Sequence, residues 1–153
     1  MLVDVSGENA MKIVRLRCIF CLSLTSVDLE IKGDEKLCSQ CSKPVLLDRP
    51  VKITQEDFPD VVIKAGIPVL IDFYADWCGP CKLVSPIIDD IASSQEGTLL
   101  VGKIDADRAQ ELMQEMKVTS VPTLIVFENG EEISRSVGLE PDKIKEMVEN
   151  AVA

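Results

Sequence analysis

Six cysteines are the residues best equipped for chemistry in this 153-residue chain, and they fall into three pairs, Cys18/Cys21, Cys38/Cys41 and Cys78/Cys81. Two thiols separated by two residues suit either a shared metal ion or a dithiol that cycles with its disulfide. The chain has no histidine, so a proton leaving a thiol must go to a carboxylate or to water.

The pair Cys78/Cys81 follows the apolar run Pro68-Val69-Leu70-Ile71-Asp72-Phe73-Tyr74 and precedes Val84, Ile87, Ile88 and Ile91, which recur at helical spacing. The dithiol is therefore expected where a buried strand hands over to a helix. Amides and dipole at a helix N-terminus stabilise negative charge, so the Cys78 thiol should ionise below its usual range and act as nucleophile. Cys81, one turn on, would attack the resulting mixed disulfide and release the reduced target. Gly79 and Pro80 fix the turn between them, and Trp77 offers a flat apolar contact beside the sulfur.

Asp72 lies six positions before Cys78 in a run of Val, Leu, Ile and Phe. A desolvated carboxylate there would hold its proton to higher pH and could take the proton that Cys81 must lose. The alternative is an inert carboxylate at the solvated end of the strand. For the Cys78/Cys81 pair itself the alternative is half a zinc site, but no Cys or His follows Cys81 to complete one.

The other four cysteines are separated by sixteen residues between the pairs, the spacing of a four-thiolate zinc site. Residues 11–49 read as a small zinc-ribbon-like module with short strands at Ile13 to Leu16, Val27 to Ile31 and Val45 to Leu47, too small to be stable on its apolar core alone. Two redox dithiols are the competing reading. Residues 1–10 are expected to be a flexible extension ahead of Met11.

A boundary is expected near Asp48-Arg49-Pro50, followed by a domain over residues 50–153. Helical spacing of Phe58, Val61, Val62 and Ala65 precedes the Val69 strand. After the dithiol helix, in which Pro86 should produce a kink, come a strand at Leu99 to Ile104 and a helical face of Ala109, Leu112, Met113 and Met116. Thr123 to Phe127 and Glu132 to Val137 flank an Asn129-Gly130 turn signal, and Pro141 opens a last helix. Alternating helices and strands closing on a hairpin make an α/β fold with a mixed sheet.

Charge divides along the chain. Residues 1–49 carry seven acidic and seven basic side chains, so the net charge of −10 lies in residues 50–153. An acidic domain without a basic stripe is not expected to bind nucleic acid. The N-terminus lacks a basic leader, and Lys12, Arg15 and Arg17 interrupt its next apolar stretch, so neither a signal peptide nor a membrane span is expected. A cytoplasmic, monomeric protein is the expectation.

Trp77-Cys78-Gly79-Pro80-Cys81-Lys82, with Asp72-Phe73 before it and Pro86, Lys103, Val121-Pro122-Thr123 and Gly138 after it, resembles the thioredoxin family over residues 51–153. With its four-cysteine N-terminal segment, the chain is similar to thioredoxins of the zinc-containing type-two kind. The resemblance implies a thioredoxin fold, a central mixed β-sheet flanked by helices. It also implies a cis Val121-Pro122 peptide facing the dithiol, where sequence alone gives an ordinary turn proline. Trp77, Gly79, Pro80, Val121, Pro122 and Gly138 would form the surface on which targets dock, and Lys103, otherwise an ordinary surface charge, would lie near Asp72. Tyr74 stands where many members carry tryptophan, a change expected to affect docking rather than the reaction.

The function so implied is reduction of protein disulfides, serving electron transport and cell redox homeostasis. A redox-active Cys78–Cys81 disulfide and one structural Zn2+ are the expected cofactors. NADPH-dependent thioredoxin reductase would return the electrons, and with no nucleotide-binding glycine motif in this chain the flavin belongs to that partner. Two other readings compete: a zinc-ribbon partner-binding or redox-sensing protein on a thioredoxin scaffold, and a holdase that uses the apolar surface without redox chemistry.

Overall fold

The computed structural model describes residues 12–30 and 36–153. The expected extension at residues 1–10 lies outside them.

An antiparallel hairpin, β1 (Ile13–Arg17) and β2 (Leu24–Asp28), opens the described chain. The second strand begins and ends earlier than the apolar run Val27 to Ile31 suggests. Asp28 stops it by accepting the Glu30 amide at 2.9 Å, a local turn that competes with the ladder. Val45 to Leu47 is not a strand. Pro44 makes an isolated bridge with Leu37 and the Val45 amide bonds the Lys36 carbonyl at 2.7 Å, but no ladder continues to Leu47.

The main sheet has five strands in the order β3-β5-β4-β6-β7. They are β3 (Val51–Lys52), β4 (Val69–Tyr74), β5 (Leu100–Asp105), β6 (Thr123–Glu128) and β7 (Glu131–Val137). Strands β3, β5 and β4 run parallel, β6 adds antiparallel to β4 and β7 adds antiparallel to β6, which gives the mixed sheet. Asn129 (φ 54°) and Gly130 (φ 80°) both adopt the left-handed conformation that a tight hairpin turn needs.

Both faces of the sheet are covered, because β4 is buried on both sides and reads as a continuous apolar run. On one face Val69, Ile71 and Phe73 pack with Ile104, Ile125 and Phe127 under a single-turn π-helix (Pro59–Ile63) and α2 (Gln110–Glu115). The π-helix stands where helical spacing pointed, closed by the Lys64 amide on the Pro59 carbonyl at 3.1 Å. On the other face Leu70, Val101, Leu124 and Val126 pack against α1 (Gly79–Ser94) and α3 (Pro141–Val152). The α1 helix runs on through Pro86 to Ser94, losing one backbone donor there.

The hairpin does not stand apart. Val14, Leu16 and Val27 belong to the same apolar cluster as Val61, Phe73 and Phe127. The Gly66 amide bonds the Ile13 carbonyl at 2.9 Å. Arg17 grips both oxygens of Asp57, at 2.6 and 3.1 Å. No helix among the described residues is long and apolar enough to cross a membrane.

Candidate redox site and metal site

Strand β4 delivers the chain to Ala75-Asp76-Trp77, and α1 starts at Gly79 with Cys78 as its N-cap. The Cys78 Sγ accepts the Cys81 amide at 3.1 Å, one of the donors a helix leaves unpaired at its first turn. Cys78 and Cys81 form a disulfide with Cα atoms 5.3 Å apart. Both are nearly buried, in a small cluster with Ala75, Tyr74 and Val121. The helix N-terminus thus points its free amides at the sulfur expected to carry charge when the pair is reduced.

Alternation along β4 puts Leu70, Asp72 and Tyr74 on the face that meets α1. Asp72 is 1 % exposed, and neither carboxylate oxygen has a hydrogen-bond partner. Burial pushes its pKa up to about 6 against an opposing pull from Lys103. A buried carboxylate with no protein partner, on the face covered by the helix that carries Cys81, has the properties of a proton acceptor at neutral pH. Lys103 is its register neighbour on β5, with its Nζ 4.6 Å from the Tyr74 ring centroid.

The Val121-Pro122 peptide is cis, and Val121 packs against the two cysteines. The Gly138 amide bonds the Pro122 carbonyl at 2.8 Å. Gly138 adopts φ +88°, and a Cβ there would meet nothing within 4 Å, so the residue is selected by backbone conformation on an open surface. Trp77 is 71 % exposed. Its indole N–H donates to Asp107 at 2.9 Å, which fixes an otherwise free aromatic plate. Asp107 was not legible in the sequence, because it is thirty residues away with no motif to mark it. Trp77, Asp107, Met113, Ser120 and Val121 help line an open groove of about 300 Å³ beside the disulfide.

At the other end of the hairpin, Cys18, Cys21, Cys38 and Cys41 converge with all four sulfurs within 4.8 Å of one another. Cys18 and Cys41 sulfurs are 3.6 Å apart, and those of Cys21 and Cys38 are 3.7 Å apart. Four thiolates about 2.3 Å from a tetrahedral metal would be separated by about 3.8 Å, so the residues fit a metal ion.

The two loops repeat one design. Leu22 and Ser42 amides bond the Cys18 and Cys38 carbonyls, and Phe20 and Gln40 amides point at the sulfurs of the same two cysteines, each at 3.4 Å. Leu22 (φ 65°) and Ser42 (φ 64°) take up the left-handed conformation for which glycine is the usual choice. Amides of Cys41 and Gln40 hold the Cys38 thiol down to about 6. Cys41, although the Lys43 amide lowers it, is pushed up to about 12 by desolvation and its three sulfur neighbours. Four sulfurs so close cannot all be anionic without a cation among them.

A cavity of about 510 Å³ lies between the ribbon loops and β3, lined in part by Leu16, Ile19, Leu22, Leu46 and Lys52. Volume does not mark the reactive centre here, since apart from Cys18 no redox-capable side chain lines that cavity.

A sequence model of the thioredoxin family matches residues 49–150. The chain belongs to the thioredoxin family. It is 42 % identical over 88 residues to a thioredoxin of Mycobacterium tuberculosis, covering 58 % of this chain and 76 % of that protein. It is 43 % identical over 88 residues to a bifunctional thioredoxin reductase/thioredoxin of Mycobacterium leprae, but spans only 19 % of that protein's length. The solved structure of a single-site mutant thioredoxin from Halobacterium salinarum superposes with a TM-score of 0.63 at 34 % identity, covering 72 % of this chain and 97 % of that one. Family membership and the Cys78–Cys81 disulfide together make this chain a dithiol–disulfide oxidoreductase.

Proposed function

We propose that the chain reduces disulfides in protein substrates, with Cys78 as the attacking thiolate, Cys81 as the resolving thiol and Asp72 as the acceptor of the Cys81 proton. Attack by Cys78 on a target disulfide forms a mixed disulfide and expels one target thiolate. Cys81 then attacks the Cys78 sulfur, expels the second target thiolate and leaves the Cys78–Cys81 disulfide, so two electrons pass to the target. The observation that carries this reading is the nearly buried disulfide at the head of α1 beside a strand bearing a buried carboxylate without a protein partner.

Trp77, Gly79, Pro80, Val121, Pro122 and Gly138 form the docking surface in this reading. Lys103 moderates Asp72. An NADPH-dependent thioredoxin reductase restores the dithiol in a reducing cytoplasm. The protein acts as a monomer, without nucleic acid or a membrane.

The four-cysteine cluster takes one Zn2+, as in the type-two thioredoxins, and residues 11–49 form a zinc-ribbon module on a thioredoxin domain of residues 50–153. Four sulfurs within 4.8 Å of one another, two pairs of them 3.6 and 3.7 Å apart, and a donor set of four thiols support zinc. Bound there, the ion would tie two loops together and supply no redox chemistry.

Two measurements test this. Insulin reduction should proceed with the natural chain and vanish with Cys78→Ser. The reduced protein should contain one zinc and two freely reactive thiols, whereas no zinc and six reactive thiols would make the N-terminal pairs redox centres.

A further inference from the structure

We propose that Tyr74 is a positioning residue that holds the Lys103 ammonium on the face of its ring and off the Asp72 carboxylate, leaving Asp72 free to accept the proton that Cys81 releases. This rests on the role for Asp72 proposed above.

The geometry comes from strand register. Asp72 and Tyr74 are two apart on β4 and share one face, and Lys103 stands opposite Asp72 on β5. An unrestrained lysine in that place would pair with the carboxylate, as opposite charges on adjacent strands do. It does not: both Asp72 oxygens lack a partner, while the ammonium lies 4.6 Å from the Tyr74 centroid, within cation–π range. The ring competes with the carboxylate for the cation and wins.

The surroundings leave few rivals for control of Asp72. From β6 its register neighbour is Leu124, and α1 turns Cys81, Val84 and Ile88 inward while Lys82, Asp89 and Asp90 are exposed. The α3 helix buries Ile144, Met147 and Val148. Besides Lys103, the charged groups around Tyr74 are Asp105, Asp76, Asp72 and Arg108, and Arg108 is already shared with Asp105 at 3.7 Å. Lys103 is therefore the cation that acts on Asp72 from a distance. Closing that distance to a direct pair would lower the carboxyl by about 1 pH unit or more. A deprotonation that no longer responds near neutral pH is poorly matched to accepting a thiol proton.

The test is a carbonyl carbon NMR titration of Asp72 in the oxidised full-length protein, compared with the pH profile of insulin reduction. Tyr74→Leu should move the Asp72 titration down by about 1 unit, and Tyr74→Phe, which keeps the ring, should leave it in place. In a Lys103→Met background the Tyr74→Leu shift should vanish. If the shift persists without Lys103, the ring acts by excluding water, and the proposal is overturned. It is equally overturned if Tyr74→Leu leaves the titration unmoved, or if Tyr74→Phe behaves like Tyr74→Leu. Should Tyr74→Leu fail to fold, Tyr74→Met carries the same expectations. A titration that shifts while the rate profile stays fixed upholds the positioning by Tyr74 and removes Asp72 from proton transfer, so the two readings fail separately.

Discussion

Asp72 concentrates the site's conflict between stability and chemistry. Its pKa is pushed up to about 6 by burial, so the folded protein holds the proton more tightly than the unfolded chain, where the group titrates near 4. The stability contributed by the protonated form is present below about pH 4 and is lost as pH rises through about 6, a difference of roughly 3 kcal/mol. Asp72→Asn is accordingly expected to raise denaturation stability at pH 8 by up to about 3 kcal/mol and to converge with the natural chain near pH 4. The same variant should slow resolution of the mixed disulfide at pH 7 by up to about a hundredfold, the low end of what a positioned base supplies. Stability curves at the two pH values and single-turnover kinetics check both halves. Cys78, Cys81 and Asp72 were legible because each is a reactive type in a strongly patterned segment. The Trp77–Asp107 and Tyr74–Lys103 contacts were not, because the fold creates them between residues about thirty positions apart.

At the scale of elements, the hairpin is the joint between the four-cysteine cluster and the sheet. Leu16 is 3 % exposed within the apolar cluster shared by β1, the π-helix and β4. Leu16→Ala should therefore destabilise the whole chain by about 2–4 kcal/mol in a single cooperative transition. A separate early transition of the ribbon alone would show that the shared cluster does not couple them. Strong periodicity and turn chemistry made β4 to β7, α1 and α3 readable. Val45 to Leu47 misled, since an apolar run predicts burial and not pairing, and here Leu47 is buried without a ladder. The π-helix was visible as helical spacing, but five residues beginning with proline leave its hydrogen-bond pattern to be set by packing.

In the whole molecule, two sulfur chemistries are kept apart by topology. One pair sits at a strand-to-helix junction, where a thiolate is stabilised and its partner is one turn away. The other four face each other from two loops, where a cation is the natural counter-charge. If the cluster holds zinc as proposed, stripping it with a chelator under reducing conditions should lower the melting temperature while insulin reduction at about 25 °C is retained, since in that proposal no ribbon cysteine takes part in the exchange. Loss of activity in step with metal would contradict that separation.

The division of labour between Cys78 and Cys81 is the central claim, and trapping tests it most directly. Reduced Cys81→Ser, mixed with a disulfide-bonded protein such as insulin, should accumulate a covalent adduct through Cys78, seen by mass spectrometry and cleared by dithiothreitol, whereas Cys78→Ser should accumulate none. A stable adduct through Cys81 in the Cys78→Ser protein, or through any of the four ribbon cysteines in Cys81→Ser, would contradict the account.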